Sequence, residues 1–341
     1  MRAGSSQRAF ERSDAAGVAR FAKVFVNLWR PRVRLATMVG MRLVIAVFLL
    51  AAFAPAAGRW TKVAPLPHPR SAHAVVVAGS SIYVLGGPST AVVDRFDGKR
   101  WHRETTLPGG KVNAPAAVSL DGRIYFIGGF SGSTNEPVST VRVYDTAART
   151  WSTAAPLPAP RGGYAAVVLD GKIHVVGGGN SESTIADHSV YDPATNTWSR
   201  VAPLPRAEGS PAAVVFDGKL YAIGGRSGPS DFGNVYVYDP GSDSWSNGPP
   251  IPPRGTAGAA VFRGAIYVFG GESQARFRTL RDVLMLAPGA AHWTRVARMP
   301  KARNYARAVV FRNAVYVVGG SRTPGDSHGS YGSRLVDRFT G

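Results

Sequence analysis

Gly86-Gly87 closes the short run Ser81-Ile82-Tyr83-Val84-Leu85, and this combination returns five more times along the chain. The other copies end at Gly128-Gly129, Gly177-Gly178, Gly224-Gly225, Gly270-Gly271 and Gly319-Gly320, 42 to 49 residues apart. A repeat of that length built of strand-forming residues predicts the blades of a radial β array. The chain has 341 residues, so six such units imply one all-β domain rather than two ordinary ones.

Each unit reads alike. A run with small side chains comes first, such as Ala212-Ala213-Val214-Val215-Phe216. Asp121-Gly122, Asp170-Gly171 and Asp217-Gly218 then predict two-residue hairpins, because both positions of a type I′ turn need positive φ. The run ending in Gly-Gly follows, and then a variable loop. A third strand closes on Tyr144-Asp145, Tyr191-Asp192 or Tyr238-Asp239, with Trp151, Trp198 and Trp245 each seven residues after its tyrosine. We label these strands A to D. Small residues in A suit the crowded axis, the tryptophan of D suits the wide space between blades, and these Tyr and Trp side chains read as packing. Trp60 to Leu66 is a strand D with nothing before it, and Arg334 to Phe339 is a strand C with nothing after it. The N-terminal outer strand is therefore expected to complete the last blade and close the ring, which removes exposed strand edges.

Gly-Gly, Tyr-Asp and a tryptophan seven residues on, repeated six times, resemble kelch repeats over about residues 60–341. The pattern loosens at Phe96-Asp97, which precedes Trp101 by a shorter turn, and at Leu286-Ala287, which replaces Tyr-Asp. The resemblance implies a six-bladed β-propeller over residues 58–341, with four antiparallel strands per blade.

Residues 1–40 are basic and lack a strand pattern. Met41-Arg42 leads into the apolar run Leu43 to Phe53 and then Ala54-Pro55-Ala56. The run is shorter than the ~20 residues that a membrane helix needs. Residues 41–57 read as a Sec-type signal peptide cleaved near Ala56 or Ala57; either its n-region is very long or translation starts at Met38 or Met41, the favoured reading, with an uncleaved anchor as the alternative to cleavage. The expectation is an exported protein (periplasmic, cell-surface or secreted), monomeric, and without a membrane span once the signal is removed.

The net charge is +19, mostly from arginine. Residues 1–56 hold nine Lys/Arg against two Asp/Glu, so the remainder is still basic at +12. Without cysteine the chain has no disulfide, no thiolate metal site and no cysteine nucleophile. Galactose oxidase carries a kelch-type propeller too, but its copper chemistry needs a tyrosine cross-linked to a cysteine. Seven scattered histidines show no metal-binding spacing. No phosphate loop, dinucleotide fingerprint or nucleophile elbow is present, so no cofactor and no metal are expected. There is no aromatic-basic module for nucleic acid either.

Because A and B form a hairpin, the residues before A and those after Gly-Gly share one face of the ring. Arg70, Lys111, Arg161, Arg206, Arg254 and Arg303 precede strand A in their units. Two readings stand: each pairs with local carboxylates and carbonyls, or together they ring the channel mouth and grip an anion. Kelch proteins that bind acidic peptides use arginines at this motif position, so the resemblance implies a protein or glycan ligand of acidic character. Separately, Gly255 to Val261 and Gly270-Gly271-Glu272 with Arg278 look like the matching segment of the bacterial sialic acid mutarotases (N-acetylneuraminate epimerases). That resemblance assigns Glu272 to shuttle the anomeric proton and Arg278 to hold the substrate carboxylate. The leading expectation is a binding propeller, followed by a mutarotase-type sugar isomerase acting on an acidic sugar. A structural or adhesion module of the cell surface is the third reading.

Overall fold

The computed structural model describes residues 58–325 and 332–341. The signal and basic segments expected over 1–57 lie outside these. Among the described residues the chain forms six four-stranded antiparallel sheets and three two-stranded ribbons. The inner strands of blades 1 to 6 are Ala74–Ala78, Ala116–Leu120, Ala165–Leu169, Ala212–Phe216, Gly258–Phe262 and Arg307–Phe311. Blade 2 shows the order: A is Ala116–Leu120, B is Arg123–Ile127, C is Val141–Asp145 and D is Thr150–Ala154. The expected closure is present. Arg59–Lys62 is the outer strand of blade 6 and pairs with Val336–Thr340, with Trp60 opposite Phe339. Among the described residues no helix is long and apolar enough to cross a membrane.

The Asp-Gly hairpins adopt the anticipated geometry. Asp121, Asp170 and Asp217 have φ of 49°, 51° and 51°, and the glycines after them 74°, 72° and 68°. The Gly-Gly pairs do more than turn the chain. All twelve glycines have positive φ, and the second N–H of each pair bonds the next blade. Gly129 donates to Arg161 O at 2.9 Å, Gly178 to Glu208 O at 2.9 Å, Gly225 to Arg254 O at 3.0 Å and Gly271 to Arg303 O at 3.0 Å. Gly87 and Gly320 make the same bond, to Val112 O and Arg70 O, both at 2.8 Å. A Cβ on Gly270 would sit 2.7 Å from Arg303 O of the next blade, so only glycine allows the blades to approach this closely.

Outside this seam the blades are joined by tryptophan. The indole N–H of Trp198 donates to Ala155 O of the preceding blade at 2.8 Å, and that of Trp245 to Ala202 O at 2.8 Å. Each ring also packs on its own blade's tyrosine, with centroids 5.2 Å apart in both cases. Trp198→Phe keeps the packing and drops the bond. It is expected to cost about 1 kcal/mol in a urea titration, and a change near zero would mean that the indole bond contributes nothing to blade docking.

Candidate functional site

A second backbone ring lies nearer the axis, immediately before strand A. Ala72, Ala114, Gly163, Ser210, Thr256 and Tyr305 all have left-handed backbones, with φ between 44° and 62°. Five of these are not glycine, a conformation that costs each of them on the order of 1 kcal/mol. The return is a chain of inter-blade hydrogen bonds: Ala114 N to Ala72 O (2.8 Å), Gly163 N to Ala114 O (2.8 Å), Ser210 N to Gly163 O, Thr256 N to Ser210 O (3.2 Å) and Tyr305 N to Thr256 O (2.9 Å). Ala114, Gly163, Ser210 and Tyr305 of this ring floor a cavity of about 570 Å³ at one mouth of the propeller. The loops after Gly-Gly wall it with Phe130, Asn135, Asn180, Ser181, Thr184, Arg226 and Gln274. The shared face expected from the hairpin topology is therefore where this cavity opens.

The arginines expected there are placed differently. Arg70, Arg161 and Arg303 are 0% exposed and Arg254 is 2% exposed. They lie inside the blades, and Arg70, Arg254 and Arg303 brace their Gly-Gly turns. Arg70 donates to Gly86 O at 2.6 Å and to Asp94 at 2.6 Å. Arg303 donates to Gly319 O at 3.1 Å and to Asp337 at 2.6 Å. Arg254 donates to Gly270 O at 3.2 Å, and Arg161 reaches Asp187 at 3.0 Å and Ser189 at 2.8 Å. Burial pulls the Arg254 guanidinium down to about 10, and lowers Arg303 while raising its partner Asp337. These four side chains follow the local-pairing reading, because the pocket beneath each turn is closed by the neighbouring blade. Lys111 and Arg206 are exposed, and Arg206 lies over the Phe232 ring at 4.4 Å. Neither occupies the motif position, which falls four residues before strand A. In blade 2 that residue is Val112 and in blade 4 it is Glu208.

Glu208 thus replaces an arginine in a closed site. It is 0% exposed, accepts one bond from Asn234 at 3.0 Å, and burial pushes its carboxyl up to about 7, against the opposing effects of Asn234 and Arg206. The folded protein then holds a proton that the unfolded chain has released between about pH 4.5 and 7. Stability from this group falls as pH rises through that window, by on the order of 3 kcal/mol. Glu208→Gln is expected to flatten this slope and to raise stability at pH 8 but not at pH 4. Urea titrations at both pH values check it, and a slope unchanged from wild type would refute it.

Glu272 and Arg278 share a two-stranded ribbon, Glu272–Ser273 with Arg278–Thr279. Glu272 faces Thr279 and Ser273 faces Arg278, so their side chains leave opposite faces. The fold therefore makes no ion pair between Glu272 and Arg278, and it does not bring the two side chains named by the resemblance to one point. Arg278 is exposed, whereas Glu272 is 0% exposed. The Glu272 partner is Arg226, whose Nη1 is 2.8 Å from Oε1. Gln274 donates to the same oxygen at 3.0 Å, and Asn304 (2.6 Å) and the Gly325 N–H (3.0 Å) donate to Oε2. Arg226 also donates to the Tyr305 hydroxyl and lies against that ring, with its guanidinium carbon 5.5 Å from the centroid. Arg226 was legible: it directly follows Gly224-Gly225 as Glu272 directly follows Gly270-Gly271. The seam between blades brings these adjacent-repeat positions together. Arg226, Gln274 and Tyr305 face the cavity, with Glu272 holding the arginine from beneath.

Six blades closed by an N-terminal strand, stitched by Gly-Gly and by tryptophan, define a kelch-type propeller. The chain belongs to the kelch-repeat family: the family model described as the KLHDC2/KLHL20/DRC7 Kelch-repeats domain matches residues 49–211 and 202–320. It is 33% identical over 142 residues to Kelch-like protein 35 of Mus musculus, covering 38% of this chain and 23% of that protein. It is 35% identical over 147 residues to N-acetylneuraminate epimerase of Pasteurella multocida, covering 40% of this chain and 37% of that one. The chain thus spans well under half the length of these relatives. Among solved structures, one described as "Structure of YjhT" superposes with a TM-score of 0.73 at 16% identity, over 82% of this chain and 97% of that one, a likeness of fold.

Proposed function

We propose that this propeller binds a protein or glycan through the mouth cavity, and that it does so as an exported protein. The observation that supports this most is the cavity of about 570 Å³, floored by a hydrogen-bonded backbone ring and walled by loops from several blades. Amide and hydroxyl groups of Asn135, Asn180, Ser181, Thr184 and Gln274 dominate its walls, with the Phe130 and Tyr305 rings for stacking. Such a lining suits sugar hydroxyls or a peptide backbone, and Arg226 offers one anchored cation for an acidic group. Kelch-family membership supports a protein ligand. The apolar run Leu43 to Phe53 supports export. An array of glycans and acidic peptides is the test. Discrete hits weakened by salt are expected, and binding that is absent throughout would overturn the reading.

The isomerase reading is second and draws on the epimerase relative. Against it, Glu272 is enclosed by four donors, so proton transfer at a sugar would first require Gln274 and the Gly325 N–H to move aside. NMR of sialic acid anomer exchange, with Glu272→Gln as the control, separates the two. Acceleration that the variant abolishes would favour the isomerase.

A further inference from the structure

The channel beyond the backbone ring holds a second cavity of about 120 Å³, which shares no lining residue with the mouth cavity. Alanine and proline line most of it. The first residue of the inner strand is Ala74, Ala116, Ala165, Ala212 and Gly258 in blades 1 to 5. In blade 6 it is Arg307. One long cation therefore stands at a strand position that the other five blades keep to a methyl group or less.

Arg307 Nε donates to His73 O at 3.0 Å. Neither Nη has a protein acceptor among the described residues, and no carboxylate there pairs with it. Its neighbours in blades 6 and 1 are treated differently: Arg303 has Asp337 and Arg70 has Asp94. His73 brings no compensating charge, since burial and the arginines at 70, 307 and 303 push it well below the usual histidine range. A guanidinium keeps its proton, and Arg307 is half-buried, so its free Nη groups meet the water of the channel rather than a protein acceptor, which leaves them open to an anion in that water.

We propose that the axial channel is an anion site, in which a small inorganic anion of halide to nitrate size sits against the Arg307 guanidinium. The cavity has room for one such ion and a few waters, at roughly 30 Å³ per water. Because the two cavities share no lining residue, the ion in this proposal enters from the end that carries the A–B turns. This site does not depend on what the mouth binds.

The test is thermal unfolding of the full chain in sodium bromide against sodium gluconate at fixed ionic strength, with crystals grown in bromide read by anomalous scattering. Wild type is expected to melt about 3 °C or more higher in bromide, saturably, with an anomalous peak beside Arg307. Arg307→Ala, which installs the residue of four other blades, and Arg307→Gln are expected to lose both the shift and the peak. Arg307→Ala should also melt no lower than wild type in gluconate. Equal bromide responses in wild type and both variants, or an Arg307 without an anomalous peak, would overturn the assignment.

Discussion

Arg303→Ala is expected to lower the unfolding free energy by about 3–5 kcal/mol in a urea titration. The guanidinium is 0% exposed and holds three groups at once: Gly319 O, Leu335 O and Asp337. Its removal strands a buried carboxylate and two buried carbonyls, whereas replacing both partners together would be milder. Arg303→Ala with Asp337→Ala should therefore recover part of the loss. Arg278→Ala, on the exposed ribbon face, should stay within about 0.5 kcal/mol of wild type. A small loss for Arg303→Ala would show that the arginine row does not brace the turns.

Acidification should destabilise the fold through one histidine pair. His174 and His188 are 5% and 1% exposed, with Nδ1 of the first 2.9 Å from Nε2 of the second. Nδ1 of His188 is 3.2 Å from Ala202 O. That geometry suits two neutral rings: His188 donates to the carbonyl, and His174 donates to His188. Burial lowers the two groups to about 4 and about 3, and for His188 the neighbouring His174 adds to the effect. Both folded values lie below the unfolded one near 6.5. The unfolded chain thus takes up protons first as pH falls, and stability declines from about pH 6.5 to 4, by on the order of 3 kcal/mol per histidine. Glu208 acts in the opposite direction over part of this range, so the comparison is best made in Glu208→Gln. Other blades carry Tyr125 with Val141, or Tyr221 with Val235, at these two positions. His174→Tyr with His188→Val should remove the histidine share of the acid loss, and an unchanged pH profile would refute the assignment.

The fold was legible because its signals are local and repeat. Gly-Gly, Asp-Gly and the seven-residue Tyr-to-Trp spacing each dictate a backbone geometry, and repetition averages out drift such as Phe96-Asp97 or Leu286-Ala287. The site was less legible because it depends on register and on contacts between blades. Counting back from strand A by one or two residues too many put Lys111 and Arg206 where Val112 and Glu208 stand. Whether Arg70 or Arg303 faces the channel or the blade interior depends on how the neighbouring blade closes over it. The local resemblance of one loop links Glu272 with Arg278, whereas the blade seam supplied Arg226 from 46 residues away. Arg307 lies inside a strand that otherwise reads as small residues, and only the closed ring shows how narrow its surroundings are.

The central claim is that the mouth with the backbone-ring floor is the binding face. The most direct measurement takes the strongest array ligand and compares two tryptophan substitutions at exposed serines on opposite faces. Ser181→Trp fills the mouth cavity, and Ser80→Trp stands on the A–B turn of blade 1. The account predicts at least a tenfold loss of affinity for Ser181→Trp, about 1.4 kcal/mol or more, and wild-type affinity for Ser80→Trp. Retained binding by Ser181→Trp with loss in Ser80→Trp would contradict it.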